Sequence, residues 1–152
     1  MPKIQVLVIS IANPILIGIY KDYEIIQTIK LDGKTTEVLP LAFEEILKKH
    51  IIDEIYYVNG PGSYMAIKVA YVFLKSISII KNIPLKACDG FEFNQNRPIK
   101  ALGKKYFIKQ DNNIVIQSID SSMMLKEFEL PKQLNINKFS DDSLPNYQLP
   151  AV

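Results

Sequence analysis

The chain has 152 residues, one cysteine, one histidine and a formal net charge of +2. This length can bury the core of one domain with a small appendage. So small a charge does not predict a dedicated nucleic-acid-binding protein, and a single cysteine excludes an internal disulfide and a cysteine-based zinc site. The sequence enters an apolar strand directly after Met1-Pro2-Lys3, with no secretory pattern and no apolar run of about 20 residues, so we expect a cytoplasmic protein that does not span a membrane.

Hydrophobic patterning predicts three antiparallel strands at the start of the chain. They cover residues 4–11, 15–20 and 23–31, with Asn13-Pro14 after the first strand and Lys21-Asp22 as a tight hairpin turn. The first strand is β-branched and almost wholly apolar, which is typical of the buried centre of a sheet.

Helix and strand patterns then alternate up to residue 89. One helix is predicted to start at the capping hydroxyls of Thr35-Thr36 and to run to Lys49-His50, and a second helix covers 64–80. Strands are predicted at about 54–58 and 84–89. The order βββαβαβ predicts an α/β fold with a mixed sheet, and it is the order of a ribonuclease-H-like half-domain, the unit of actin-like kinases.

The character of the chain changes after the polar linker Asn94-Gln95-Asn96-Arg97-Pro98. Further short strands are predicted within 99–102, 106–109, 114–119 and 123–130. We therefore divide the chain into a first lobe of residues 1–94, a reduced β-rich second lobe of residues 95–130 and a tail of residues 131–152. The tail is rich in Pro, Asn, Asp and Ser, a composition that predicts poor order.

A glycine-rich turn joins the fourth strand to the second helix, with the sequence Asn59-Gly60-Pro61-Gly62-Ser63-Tyr64. A strand, such a turn and a helix in this order place backbone N–H groups at a helix N-terminus, which suits an anion. The turn matches neither a P-loop nor a nucleophile elbow. Two interpretations stay open. Either the glycines provide a positive φ or a close approach and Ser63 caps the helix, or the turn contacts a phosphate or a partner.

The sequence carries few groups for catalysis. His50 is the only histidine and is expected in solvent at a helix end, and Cys88 is expected to be a small buried residue. Ribonuclease-H-type and actin-like enzymes need a first-strand carboxylate to hold a metal ion, whereas this strand ends in Ser10-Ile11-Ala12-Asn13. We therefore predict no catalytic residue and no metal site.

The second helix is the most informative candidate for a functional surface. At about 100° per residue, one face is predicted to pack on the sheet and carries Ala66, Val69, Phe73, Ile77 and Ile80. The opposite face is apolar and aromatic where a surface helix should be polar; it carries Tyr64, Ile67, Tyr71, Leu74 and Ser78, flanked by Lys68 and Lys75. Such a stripe is typical of a protein interface. The alternative is that the residues after 91 fold over it as core.

The segment from Asn59 to Ala70 resembles the Gly-Pro-Gly-Ser-Phe-Thr-Gly-Leu-Arg signature of the TsaB family, also called YeaZ. Thr36-Glu37-Val38-Leu39-Pro40 is similar to the first-helix pattern of that family, and Ile83-Pro84-Leu85 fits the start of its fifth strand. The resemblance covers about residues 3–94. Lys68 stands where the signature has arginine, so it keeps the charge but not the fork geometry of a guanidinium.

The resemblance implies a ribonuclease-H-like, actin-like (ASKHA) fold and an accessory subunit rather than an enzyme. Proteins of this family pair through their first two helices with the catalytic subunit TsaD, and the ATPase TsaE joins the assembly. TsaD transfers a threonylcarbamoyl group to a tRNA adenosine. The same helices can form a homodimer. No cofactor is expected in this chain, ATP and a metal ion are expected in the partner subunits, and tRNA is expected to bind only through the complex.

On this basis the sequence predicts a set of site residues. The predicted partner-binding residues are Leu39, Phe43, Tyr64, Ile67, Lys68, Tyr71, Leu74 and Lys75. The signature turn is predicted to support that surface or to lie near a nucleotide, and it comprises Gly60, Pro61, Gly62 and Ser63.

Two alternative functions stay open. An independent actin-like ATPase or kinase fragment would need the acid chemistry that the first strand lacks. A nucleic-acid-binding module would use the lysines from Lys100 to Lys109, and salt-dependent tRNA binding by this chain alone would indicate it. Because the residues after 94 are too few for a complete second half-domain, the sequence predicts a reduced member of the family.

Overall fold

The computed structural model describes residues 2–119 and 125–148. The strands within these residues are β1 (Ile4–Ile9), β2 (Ile15–Lys21), β3 (Glu24–Leu31), β4 (Glu54–Val58), β5 (Leu85–Cys88), β6 (Ile99–Lys100), β7 (Lys105–Gln110) and β8 (Asn113–Ser118). The α-helices are α1 (Thr35–Lys49) and α2 (Tyr64–Lys81), and short 3-10 helices cover Gly90–Phe93 and Ile136–Lys138. The predicted helices and strands up to residue 89 are confirmed, with small differences at their ends.

The first five strands form one mixed sheet in the order β3-β2-β1-β4-β5. β1 pairs antiparallel with β2, and β2 with β3, whereas β1 with β4 and β4 with β5 are parallel pairs. The predicted α/β fold with a mixed sheet is therefore confirmed. One detail of α1 was wrong, because Lys34 is its N-cap residue and makes no side-chain capping bond, while Thr35 already lies inside the helix.

Both faces of the sheet are covered. Successive side chains of a strand point to opposite faces; Val6 and Val8 pack with α1 and α2, whereas Leu7 and Ile9 belong to a second cluster on the other face. That second face is covered by apolar side chains that follow residue 90: Phe93, Phe128, Leu130, Leu134 and Phe139. This double burial explains why β1 is apolar at nearly every position.

β6, β7 and β8 form a separate antiparallel sheet. Its central side chain is Phe107, which is fully buried against Phe91 and Ile99. The strand predicted over 123–130 was wrong for residues 125–130, which contain no strand, and residues 123–124 lie outside the described residues. In this segment, the side chains of Phe128 and Leu130 instead pack on the second face of the large sheet.

The tail differs from its prediction of poor order. Residues 131–148 make defined contacts at both edges of the five-stranded sheet, whereas residues 149–152 lie outside the described residues. At the β3 edge, the Leu134 N–H donates to the carbonyl of Tyr23 at 2.8 Å. At the β5 edge, Ser140 and Ala87 exchange two backbone hydrogen bonds of 2.8 and 3.0 Å. The composition of the tail did not predict these contacts, because backbone groups of any residue type can make them.

Candidate protein-interaction surface

The glycine-rich turn has the local geometry of a rigid connection. Gly60 has a φ of +137°, a conformation that L side chains rarely adopt. A Cβ atom at Gly62 would lie 3.2 Å from the Cβ of Ile11. The Ser63 hydroxyl accepts a hydrogen bond from the Ala66 N–H at 3.1 Å and caps α2. These observations confirm the features predicted for a structural turn.

The chain's own tail lies against this turn. The Asn59 side-chain amide donates to the carbonyl of Leu144 at 3.0 Å, and the Asn146 N–H donates to the carbonyl of Asn59 at 2.9 Å. The ring of Tyr147 stacks on Tyr64 with 4.6 Å between centroids. Residues 144–147 therefore occupy one side of the turn, next to the first residue of α2.

A buried hydrogen bond also joins the tail to the sheet. The hydroxyl of Tyr57 donates to the carbonyl of Ser143, and both residues are buried. Burial raises the pKa of the Tyr57 hydroxyl, so it stays protonated and remains a donor.

A depression of about 520 Å³ lies between the N-terminal ends of α1 and α2. Ser63 lines it together with Ser10 and Lys34, whereas Gly60, Pro61 and Gly62 do not. Of the four predicted turn residues, only Ser63 reaches the place where an anion could meet the helix ends. Contact of the turn with a phosphate or a nucleotide stays a prediction.

Half of the predicted partner-binding residues lie in the core instead of on the surface. Leu39, Phe43, Ile67 and Leu74 are each at most 1% exposed. Leu39 and Phe43 of α1 and Leu74 of α2 pack on the sheet with Val6 and Val8. These side chains cannot contact a partner in this conformation, which corrects the interpretation of that face as outward.

The face of α2 could not be chosen from the pattern because large apolar side chains occur on both its buried and its exposed sides. Its buried residues include the small Ala70 and Ser78. Phe73, predicted to pack on the sheet, is half-buried against the core cluster and lies edge to face on Phe43 of α1, with 5.6 Å between ring centroids. Ile80, also predicted to be core, is 77% exposed.

The remaining predicted residues lie at the border of the buried face. Tyr64, Tyr71 and Lys75 are half-buried, and Lys68 is exposed. The Lys68 ammonium lies 5.8 Å from the centre of the Tyr64 ring. Tyr71 lies 6.4 Å from Tyr57, measured between ring centroids.

A different set of apolar side chains on the two helices faces solvent. Each is more than half exposed, and together they are called the helix surface: Leu41, Met65, Val72, Ile79 and Ile80. Met65, Val72 and Ile79 are spaced by seven residues and so lie nearly above one another along about 20 Å of helix. This heptad spacing was the sequence signal that could have identified the surface.

The charges near this surface are of one sign on α2. The helix contains no aspartate or glutamate, and its charged residues are Lys68, Lys75 and Lys81. On α1, Lys48 lies 3.6 Å from Glu44. The result is an apolar stripe with a basic border on α2.

Residues 2–119 and 125–148 contain few other groups that could bind a metal ion or act in catalysis. Within them, no group of three or more His, Cys, Asp and Glu residues is placed to hold a metal ion. Burial raises the pKa of the Cys88 thiol, which stays protonated and is a poor nucleophile. No helix in this described part of the chain is long and apolar enough to cross a membrane.

No family model and no curated protein matches the sequence of this chain. Among solved structures, YeaZ from Pseudomonas aeruginosa superposes with a TM-score of 0.59 over 77% of this chain and 65% of YeaZ, at 9% sequence identity. The chain has the YeaZ fold. A second P. aeruginosa structure, described as similar to the peptidase YeaZ, has a TM-score of 0.53 at 9% identity and covers 77% of this chain and 64% of its own.

The resemblance to YeaZ predicted from the sequence is thus confirmed at the level of the fold. Because 77% of the 152 residues exceeds the first lobe of residues 1–94, the likeness to YeaZ extends into the residues that follow. The chain spans 65% of the length of YeaZ.

Proposed function

We propose that this protein is a non-catalytic, cytoplasmic TsaB-like subunit that docks through α1 and α2 on a TsaD-like catalytic subunit of the tRNA threonylcarbamoyladenosine-modifying complex. The YeaZ fold and the exposed helix surface support this proposal. We also assign the first five strands and two helices to the ribonuclease-H-like (ASKHA) class, which the order βββαβαβ supports.

The observation that carries the docking proposal is the apolar stripe on α2. Val72 and Ile79 are 52% and 70% exposed at positions where a solvated helix is normally polar. Covering such side chains with a partner removes apolar area from water, and this is the main driving force for association. The basic border on α2 favours a partner with acidic groups around an apolar helical face.

In this arrangement the protein acts by positioning. The Gly60 turn and the Ser63 cap start α2 at a defined angle, and the helix surface holds the catalytic partner in its active arrangement. ATP and the metal ion would belong to the TsaD-like and TsaE-like subunits, and tRNA would reach this chain only through the complex.

Co-elution with the TsaD-like protein of the same organism tests the proposal. We expect the full chain to form a complex on size-exclusion chromatography, and Val72→Asp and Ile79→Asp to weaken it at least tenfold while leaving the circular dichroism spectrum unchanged. Leu102→Asp is the matched control, because Leu102 is 55% exposed but lies in the second lobe. Failure of the full chain to bind, or equal binding by the aspartate variants, would overturn the proposal.

The same surface offers a route to a homodimer when the partner is absent. Sedimentation of the isolated chain should then show a concentration-dependent dimer that Val72→Asp abolishes. Adding the TsaD-like protein should replace this dimer with a heterodimer, since both use the helix surface.

The two alternative functions have direct tests. ATP turnover by the isolated chain would favour an actin-like ATPase, and tight, salt-dependent tRNA binding by the chain alone would favour a nucleic-acid-binding module. Among the lysines considered for nucleic acid, Lys109 is already paired with Asp89 at 2.9 Å. Neither alternative has a specific observation in its favour.

A further inference from the structure

Part of the tail lies against the start of α2 and places an aromatic ring on it. Residues 143–147 are called the strap. Tyr147 of the strap stacks on Tyr64, the first residue of α2, with 4.6 Å between ring centroids and 30° between ring planes. Tyr64 is one of the predicted partner-binding residues. The chain itself therefore covers part of the surface that is proposed to meet another protein.

Backbone groups hold the strap in place. The carbonyl of Ser143 accepts the buried hydrogen bond from the Tyr57 hydroxyl. The carbonyl of Leu144 accepts from the Asn59 side chain at 3.0 Å, and the N–H of Asn146 donates to the Asn59 carbonyl at 2.9 Å. These bonds fix the position of the strap and leave its side chains available for other contacts.

The ring of Tyr147 is held less firmly than the backbone that carries it. Tyr147 is 41% exposed, whereas Ser143 is 7% exposed. An aromatic pair favours the stacked arrangement by a factor of roughly two to ten beyond the effect of the buried area. Rotation of this one side chain on a fixed backbone is therefore enough to uncover the Tyr64 ring.

Covering Tyr64 opposes binding at this end of α2. Met65 follows Tyr64, is 59% exposed and belongs to the helix surface. The Lys68 ammonium lies 5.8 Å from the centre of the Tyr64 ring. A partner that contacts these groups can reach the stacked face of Tyr64 only after the Tyr147 ring has left it. A site that is open in only a fraction of the molecules binds with an apparent affinity reduced by that fraction.

We propose that Tyr147 is an autoinhibitory cover of the docking surface. Its ring shields the Tyr64 ring in the free protein, and the partner displaces it on binding. The backbone bonds of the strap keep the Tyr147 ring next to α2, so the ring can return to Tyr64 when the partner leaves. This inference rests on the proposed docking function and adds a regulation of the same surface.

The cover can be tested on the free full-length chain. Tetranitromethane nitrates accessible tyrosine rings, and peptide mass spectrometry locates the nitro group. We expect Tyr64 to be nitrated roughly threefold faster or more in Tyr147→Ala than in the wild-type chain. Tyr147→Phe keeps the ring and should leave the rate for Tyr64 unchanged. Leu144→Ala is the matched control, because Leu144 is 61% exposed and lies in the same strap. Equal nitration of Tyr64 in Tyr147→Ala and Leu144→Ala would overturn the proposal.

The affinity for the TsaD-like protein tests the inhibition itself. Tyr147→Ala should tighten the complex roughly three- to tenfold, whereas Tyr147→Phe and Leu144→Ala should bind like the wild type. In a Tyr64→Ala background, Tyr147→Ala should have no further effect, because the ring that it uncovers is gone. Isothermal titration calorimetry of the full-length variants measures these affinities.

Two results would overturn the cover while the docking function stands. A weaker complex of Tyr147→Ala would mean that the strap belongs to the docking surface, and an unchanged affinity would mean that the partner does not displace the ring. In both cases Val72→Asp would still weaken the complex. Absence of any complex with the wild-type chain would instead overturn the docking function.

Discussion

Gly60 lies where the turn meets the tail, and its missing side chain permits that contact. A Cβ atom at this position would lie 2.6 Å from the carbonyl oxygen of Asn146, and the φ of +137° is unfavourable for any L side chain. Local sequence indicated the glycine requirement. The contact with Asn146, far along the chain, is a tertiary effect that no local pattern contains.

Gly60→Ala should lower the free energy of unfolding by about 2–4 kcal/mol, because backbone strain adds to the clash with Asn146. Gly103→Ala is the control, since Gly103 has a φ of +57° but a Cβ atom there would have no neighbouring atom within 4 Å; it should cost only about 1 kcal/mol. Denaturant unfolding measures both. Equal losses would mean that the tail does not press on Gly60 in solution.

Glu54 is the carboxylate with the most hydrogen-bond partners on the large sheet. Burial raises the pKa of its carboxyl, but hydrogen bonds from the hydroxyls of Tyr23 and Tyr56, both at 2.8 Å, and the nearby Lys86 ammonium outweigh burial. The pKa of Glu54 therefore lies below its ordinary value of 4.5.

Because the pKa of Glu54 is lower in the folded state, its contribution to the free energy of unfolding depends on pH in a defined direction. The contribution of Glu54 is fully present above its ordinary pKa of 4.5 and is lost as the pH falls through the lower folded-state value. Glu54→Gln should therefore reduce the loss of stability between about pH 5 and pH 3, measured by urea unfolding at each pH. Glu44→Gln is the control, because Glu44 is exposed on α1. If the stability of Glu54→Gln falls with decreasing pH as steeply as that of the wild type, the assignment of Glu54 is contradicted.

At the scale of elements, the tail covers the edge of the large sheet that β5 forms. β5 is the last strand of the sheet, and an uncovered edge strand is prone to pair with other chains. Ser140 covers it by exchanging backbone hydrogen bonds with Ala87. Residues 143–147 then continue from this edge to the Gly60 turn, so the tail links the sheet edge to the start of α2.

Ser140→Pro should release this contact, because proline lacks the N–H that donates to the Ala87 carbonyl at 2.8 Å. The unpaired carbonyl should cost about 1–3 kcal/mol, and the amide of Ala87 should exchange its hydrogen at least tenfold faster. Ser140→Ala keeps the backbone bonds and is the control. Unchanged protection of Ala87 in the proline variant would show that the bridge does not form in solution.

At the scale of the whole molecule, an ion pair joins the large sheet to the small one. Asp89 follows β5, and its carboxylate lies 2.9 Å from the ammonium of Lys109 on β7. Each side chain is 23% exposed, so water screens the pair less than a surface ion pair. The division of the chain after residue 94 stays a prediction. The coupling energy of Asp89 and Lys109 measures how strongly this ion pair joins the two sheets.

A double-mutant cycle of Asp89→Asn and Lys109→Gln should give a coupling energy of about 1 kcal/mol. Asparagine keeps the Oδ1 atom that accepts from the Phe91 N–H at 2.9 Å, so the cycle isolates the ion pair. The exposed pair Glu44 and Lys48 is the control and should couple more weakly, because water screens both charges. A coupling no larger than that of the control would mean that the ion pair does not hold the sheets together.

The sequence by itself determined the elements up to residue 89, the form of the Gly60 turn and the Ser63 cap. These features depend on side-chain periodicity and on turn chemistry, which act over a few neighbouring residues. The likeness to the YeaZ fold also followed from such local segments, because the signature turn spans a single strand-to-helix connection.

Only the tertiary structure decided which face of α2 is buried, where the tail lies and that a cavity forms. Large apolar side chains occur on both the buried and the exposed sides of α2, and the buried side carries the small Ala70 and Ser78. Backbone groups of the tail make several of its contacts, and their bonding is independent of residue type. Lys30 and Asn94 come from separate parts of the chain and line one cavity of about 580 Å³. A cavity between such distant segments depends on tertiary packing rather than on any local pattern.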